Sequence, residues 1–195
     1  TQFSPLILKL YALGTFAGTA YSVPPFSLKQ RGPLFAGVTI ATCRGFLLNF
    51  GVYYATLEAL GKPFTWSPGV AFMARFMTVF AAVIAVTKDL PDVEGDAEFG
   101  VKTLATRVGV ARVATVASAA LFLNYASAVA QGALAPLGHF HRRPMIIGHA
   151  LLAAKLAQNF RRYRARGADT MDAVKAYYKS IWDLFYLEYL LYVFI

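Results

Sequence analysis

Charge is scarce in this chain. Asp, Glu, Lys and Arg make up 15% of its 195 residues, against about a quarter in an average soluble domain. Hydrophobic residues make up 57%. This balance argues against an ordinary soluble domain and fits a chain that lies mostly within a bilayer. Acid is scarcer than base: ten Asp and Glu stand against nineteen Lys and Arg, for a formal net charge of +9. The single cysteine, Cys43, lies in an apolar run and excludes an internal disulfide framework. The three histidines, His139, His141 and His149, are a poor basis for a zinc site, and a polar loop is the better reading of the region. No Ser/His/Asp or Cys/His set marks a hydrolytic nucleophile. No signal or transit segment is visible. The chain opens at Thr1 into an apolar stretch, as expected of a mature or truncated piece of a longer precursor.

What is present is a series of apolar runs. About 20 consecutive apolar residues suffice to cross a membrane as a helix, and six candidates lie near 4–23, 34–60, 70–87, 110–134, 144–160 and 181–195. The fifth carries Lys155 and Gln158; the sixth is short and carries Asp183 and Glu188. Small residues such as Gly14, Gly18, Gly37, Gly45, Gly51, Ala81 and Ala82 permit close helix packing. The expected fold is therefore an all-α membrane protein, a multi-helix transmembrane bundle. The basic residues support the span count. Connections one, three and five, counting Arg112 at the head of the fourth run, hold twelve Lys and Arg, whereas connections two and four hold only Lys62, Arg142 and Arg143. Alternation of this kind places the odd connections on the cytosolic side or its organellar equivalent. Membrane topology accounts for the positive charge, so no nucleic-acid partner is needed.

Half of the acidic residues fall in one loop. Lys88-Asp89-Leu90-Pro91-Asp92-Val93-Glu94-Gly95-Asp96, with Glu98 just beyond, holds five of the ten. Asp89, Asp92 and Asp96 are spaced three and then four apart, which puts them on one side of a helical turn. Three carboxylates on one side repel one another unless a cation lies between them. Oxygen-only ligands suit Mg2+, which commonly shares its coordination sphere with a substrate phosphate. Glu94 falls off that side and is expected to face solvent, while Pro91 and Gly95 are expected to shape the turn. Lys88, Lys102 and Arg107 flank the acids, and cations there suit a diphosphate leaving group, whose charge grows as its bond breaks. The stretch from Gly95 to Thr103 is no P-loop: it has one residue too many before Lys102, two acids within the supposed cradle, and no preceding strand.

Two other segments carry candidate residues. The first connection, Tyr21-Ser22-Val23-Pro24-Pro25-Phe26-Ser27-Leu28-Lys29-Gln30-Arg31, stops its helix at the prolines and presents Lys29 and Arg31 on the same side as the acids. Arg44 lies near the middle of the second run. A mid-membrane arginine costs at least about 2.5–3.5 kcal/mol and normally faces a cavity or a partner, so Arg44 is expected to line a polar pocket. Asn49 and Tyr53 follow on the same run, as do Phe46, Phe50 and Tyr54; most aromatics are expected in the core or at the lipid interface, while any that face a cavity have ring faces suited to a carbocation. Arg75 and Lys155, nearer the span ends, are expected to extend toward the interface.

These residues resemble a known family. The motif at 88–96, followed by Lys102-Thr103-Leu104-Ala105-Thr106-Arg107-Val108-Gly109, is similar to the second aspartate-rich motif of the UbiA-type intramembrane aromatic prenyltransferases. The Tyr21–Lys29 loop is similar to the family's loop after its fourth helix. Arg44-Gly-Phe-Leu-Leu-Asn-Phe-Gly-Val-Tyr-Tyr54 and Trp182-Asp-Leu-Phe-Tyr-Leu-Glu-Tyr-Leu-Leu-Tyr192 resemble the plastid homogentisate branch. The likeness covers essentially the whole chain, 1–195, as a single domain incomplete on its N-terminal side. It implies nine helices, of which four to nine are here, and two facing aspartate motifs, of which the first is absent from this chain. Asp89, Asp92 and Asp96 take the catalytic, metal-binding role with Mg2+. Lys29, Arg31, Lys102 and Arg107 take the diphosphate, and Tyr21, Arg44, Asn49 and Tyr53 line the aromatic-substrate pocket. The implied reaction moves a polyprenyl (solanesyl) group from its diphosphate to homogentisate with loss of CO2, feeding plastoquinone, in the plastid (chloroplast) inner envelope membrane.

Other readings stand beside this one. Phytyl transfer to homogentisate and chlorophyll synthesis belong to the same family. A CDP-alcohol phosphotransferase needs an Asp-Gly-x-x-Ala-Arg motif ahead of its later aspartates, which is missing here. A transporter or a truncated, inactive paralogue is the non-enzyme alternative. Oligomeric state is not encoded in any recognisable pattern.

Overall fold

The computed structural model describes residues 4–28 and 32–195. Lys29 and Arg31 lie outside the described residues. All regular structure among the described residues is helical: α1 (Pro5–Ser22), α2 (Pro33–Ile40), a π-helical segment (Ala41–Leu47), α3 (Leu48–Ala59), α4 (Pro68–Thr87), α5 (Val93–Glu98), α6 (Leu104–Val108), α7 (Val110–Leu134), α8 (Arg142–Ala165) and α9 (Met171–Tyr192). The chain divides into two compact units, Thr1–Ala82 and Val83–Ile195.

The six apolar runs correspond to six long helical stretches, with differences that have physical causes. Helices α4 and α7 are long and apolar enough to cross a membrane by length and composition. The second stretch is continuous from 33 to 59 but is interrupted by the π-helical turn. The last helix begins at Met171, ten residues ahead of the apolar run. The helix is amphipathic: Ala173, Val174, Tyr177, Ile181, Leu184 and Glu188 are buried at intervals of one, three and four, while Lys175 and Lys179 face outward. Apolar residues dominate only from Ile181 onward, so hydropathy alone misses the start.

In the first unit, α1 is capped by the Ser4 hydroxyl, which accepts from the Ile7 N–H at 3.3 Å. Its end leads into the Pro24–Pro25 turn, whose peptide bond is cis. Gly51 lies against Leu10, with 3.7 Å between a Cβ built there and the leucine Cδ1. Gly45, within the π-helical segment, lies so close to Thr78 of α4 that a Cβ would overlap the threonine backbone. The same segment leaves the Gly45 carbonyl to be met by the Asn49 side-chain amide at 2.5 Å. Phe46 of the π-helical segment stacks on Phe50 of α3, and Phe50 meets both Phe64 and Trp66 of the following loop.

In the second unit, α7, α8 and α9 form the core. Small residues set the spacing: Gly132 packs on Met145, and Gly148 on Leu191. Tyr177 is fixed by two bonds. Its hydroxyl donates to the Ala114 carbonyl at 3.0 Å, so the 2.8 Å contact with Ser118 is donated by the serine. His149 of α8 and Glu188 of α9 are both fully buried. Histidine Nε2 lies 2.9 Å from the glutamate Oε1, and Nδ1 faces the Met145 carbonyl.

Candidate functional site

The acidic loop is built by a helix that stops and restarts. Helix α4 ends at Thr87, whose side chain turns back onto the Val83 carbonyl. Pro91 biases Leu90 away from the helical region and offers no N–H of its own. The chain therefore turns through 88–92 and resumes as α5 at Val93, with Asp92 at its N-cap position. Asp89 thus lies in the turn, Asp92 at the head of α5 and Asp96 within it, rather than all three on one continuous helical turn as the spacing predicts. Leu90, fully buried, pins the turn to the core. Gly95 lies inside α5 rather than shaping the turn.

The electrostatics retain the expected competition. Burial pushes the Asp89 carboxyl above its ordinary value. Lys88, at 3.7 Å, opposes that rise, and the negative charges of Asp96 and then Asp92 add to it. Asp89 and Asp96 are half-buried, whereas Asp92 and Glu94 are exposed. Among the described residues no three His, Cys, Asp or Glu side chains converge closely enough to form a metal cage by themselves. The donor set is nonetheless all carboxylate oxygen, which is hard-cation chemistry. Mg2+ is usually held by one or two carboxylates with waters and substrate phosphate, not by an all-protein cage.

The segment after the acids is tightly ordered by its own side chains. The Val101 N–H donates to the Asp96 carbonyl at 2.7 Å, and the Thr106 hydroxyl reaches the Val101 carbonyl at 3.1 Å. Thr103 caps α6 in a reciprocal box with Thr106. Gly109, at φ 91°, separates α6 from α7 in a conformation that side-chain-bearing residues rarely adopt. Much of the 102–109 motif is therefore spent on placing α6, which carries Arg107. Both Lys102 and Arg107 are exposed.

The expected aromatic-substrate residues all lie in the first unit. Arg44 lies in the π-helical segment with its side chain exposed, and no carboxylate among the described residues is within 4.0 Å of it. Asn49 donates to the Gly45 carbonyl, one turn back. Tyr53 donates its hydroxyl to the Thr65 carbonyl at 2.8 Å and packs its ring edge-on to Phe64. Tyr21 is half-buried near the end of α1. Arg75 lies with its guanidinium 5.7 Å from the Phe72 ring centre. His139 and His141 are exposed, apart in burial from His149.

Sequence reasoning missed three features. The π-helical turn around Arg44 has no signature beyond Gly45. Phe64 and Trp66 join the α3 aromatics from a loop that reads as a plain connection. His149 and Glu188 are distant in sequence, although each stands out as an ionisable group inside an apolar run.

A sequence profile described as the UbiA prenyltransferase family matches residues 1–182. A protein of Oryza sativa subsp. japonica named "Probable homogentisate phytyltransferase 2, chloroplastic" is 52% identical over 97% of this chain and 49% of its own length. The homogentisate solanesyltransferase, chloroplastic, of Arabidopsis thaliana is 51% identical over 100% of this chain and 50% of its own length. The homogentisate phytyltransferase of Synechocystis sp. is 35% identical over 90% and 55%. The chain thus spans about half the length of these relatives. No solved structure matches.

Proposed function

The chain belongs to the UbiA prenyltransferase family, and from that premise we propose that the protein transfers a polyprenyl group from its diphosphate to homogentisate, with loss of the acceptor carboxylate as CO2. The observation that carries this reading is the loop of Asp89, Asp92 and Asp96 followed at once by the exposed cations Lys102 and Arg107. In this reading the whole chain forms part of one intramembrane domain in the chloroplast inner envelope.

The roles follow from the chemistry. Asp89, Asp92 and Asp96 would hold the divalent metal, Mg2+ in this proposal, which when bound offsets the charge of the diphosphate. Lys102 and Arg107, with Lys29 and Arg31, take up the negative charge that builds on the diphosphate as its bond to the allylic carbon breaks. The electron-rich homogentisate ring forms the new carbon–carbon bond. Arg44 is the partner of the homogentisate carboxylate: it lies in an apolar run, lacks an ion-pair partner among the described residues, and stands in a π-helical turn of a kind often found at functional sites. Tyr21, Asn49 and Tyr53 belong to the same pocket, with Asn49 and Tyr53 acting through the backbone positions they hold.

Solanesyl diphosphate is the proposed donor. Phytyl transfer stays a second reading because a relative bearing that name is as similar as the solanesyl one. The test is a product assay of the full-length protein, offering solanesyl, phytyl and geranylgeranyl diphosphates with homogentisate. A prenylated, decarboxylated quinol with solanesyl preferred is expected. Preferred use of phytyl diphosphate would reassign the donor, and failure to consume homogentisate with any donor would overturn the acceptor. Arg44→Leu is expected to raise the homogentisate KM by about tenfold or more, the scale of a lost charge-assisted hydrogen bond, with little effect on the KM for the diphosphate. An unchanged homogentisate KM removes Arg44 from the acceptor site.

A further inference from the structure

The C-terminal end of α8 and the start of α9 form a pocket lined by none of the residues assigned above to prenyl transfer. Its volume is about 160 Å³, and it is lined by Asn159, Arg162, Tyr163 and Arg166 of the α8 end and by Ala173, Ala176, Tyr177 and Ser180 of α9. The two tyrosine hydroxyls are already committed, Tyr163 to the Ala168 carbonyl at 2.6 Å and Tyr177 to Ala114 and Ser118. Ser180 donates to the Tyr177 carbonyl. The unspent donors are therefore the guanidinium groups of Arg162 and Arg166 and the amide of Asn159. Neither arginine has a carboxylate within 4.0 Å among the described residues, although Asp169 and Asp172 lie on the same hairpin.

We propose that this pocket binds the phosphate of an anionic lipid headgroup. Two arginines one turn apart line the same pocket and offer it several N–H donors, a donor set that suits a phosphate. The pocket has room for an anion of that size, given that a water occupies about 30 Å³ of liquid, but not for a prenyl chain. Helix electrostatics alone would favour basic residues at the end of α8. That accounts equally for Arg161, Arg162, Arg164 and Arg166, yet only Arg162 and Arg166 enter the pocket. Arg161 lines a separate surface hollow with Leu151 and Lys155. A lipid rather than a free ion is favoured by what lies further along the same two helices: Ile147 on α8, and Tyr186 and Leu190 on α9, expose apolar side chains. A charged pocket at the end of helices that expose apolar side chains further along suits a headgroup with chains attached, and basic pockets between membrane helices bind such headgroups. The lipid source rests on the membrane reading above; the anion site does not.

The experiment measures binding to the full-length protein in neutral detergent, by native mass spectrometry or fluorescence titration, independently of enzyme activity. The probes are phosphatidylglycerol, phosphatidylcholine and inorganic phosphate. Phosphatidylglycerol is expected to bind more tightly than phosphatidylcholine, and the Arg162→Gln/Arg166→Gln variant to lose roughly tenfold in that affinity. Arg161→Gln/Arg164→Gln removes the same charge outside the pocket and is expected to change little. All four arginines are exposed, so both variants should keep the unfolding temperature of the parent, which is measured alongside. Equal losses in the two variants, or none in either, would overturn the site. Displacement of phosphatidylglycerol by millimolar inorganic phosphate would overturn the lipid and leave a free-anion site.

Discussion

Asp89→Asn, Asp92→Asn and Asp96→Asn are each expected to lower prenyl transfer by the full-length protein by about 10²–10³-fold, the scale on which single electrostatic groups contribute to a charged transition state. Asparagine matches aspartate in shape and keeps one oxygen ligand, so the change removes charge and little else. Glu94→Gln is the internal control. Glu94 sits in α5 between Asp92 and Asp96 and is exposed, and its neutralisation is expected to leave the rate within about twofold, as surface substitutions usually do. A bland, solvated acidic turn predicts that all four variants behave alike. Diphosphate release and product formation, followed together, check the result: if Glu94→Gln loses as much as Asp92→Asn, the loop is not a metal site. Asp89 is the most constrained of the three. It is half-buried, its carboxyl is pushed up by that burial and by Asp96 and Asp92, and its nearest cation is Lys88 at 3.7 Å. A bound cation relieves the same repulsion, which is why loss of one charge is expected to weaken metal binding as well as turnover. Titration of the metal against each variant separates that effect from a loss of fold.

How much of this is legible in the sequence depends on how local each feature is. Helices α4 and α7 are apolar on nearly all sides, so hydropathy finds them with their bounds. The start of α9 is amphipathic and is found only once the buried positions from Ala173 to Glu188 are known. The chemistry of the acidic loop was legible because carboxylates are concentrated there in an acid-poor chain. Its geometry was not: the three-and-four spacing assumes one helix, and Pro91 breaks it. The π-helical turn depends on the close approach of Gly45 to Thr78, a contact across 33 positions that no local pattern encodes. Tyr53 and Asn49 read as pocket residues by position, but the fold gives each a backbone carbonyl to satisfy.

His149 and Glu188 give the second large effect. With Nδ1 directed at the Met145 carbonyl, that nitrogen must carry a proton. One further proton then lies between Nε2 and Oε1, 2.9 Å apart. Whether it sits on the imidazole or the carboxyl, the pair is net neutral and needs both members. Glu188 Oε2 has no hydrogen-bond partner among the described residues, so the carboxyl depends on the contact that Oε1 makes with the histidine. An ordinary interhelical hydrogen bond in a membrane averages only about 0.6 kcal/mol. Breaking a buried pair by removing one member costs far more, about 3–5 kcal/mol, because the other member is left buried without its partner. The expected result is therefore that His149→Leu and Glu188→Leu each lower the unfolding temperature of the full-length protein in detergent by on the order of 10 °C, by the scaling for domains of this size. The double variant His149→Leu/Glu188→Leu is expected to recover most of that loss, since two apolar side chains can replace a buried ion pair at little cost. Single variants that lose only a degree or two, or a double variant whose loss equals the sum of the singles, would show that α8 and α9 are held by packing around Gly148 and Leu191 and that the pair is incidental.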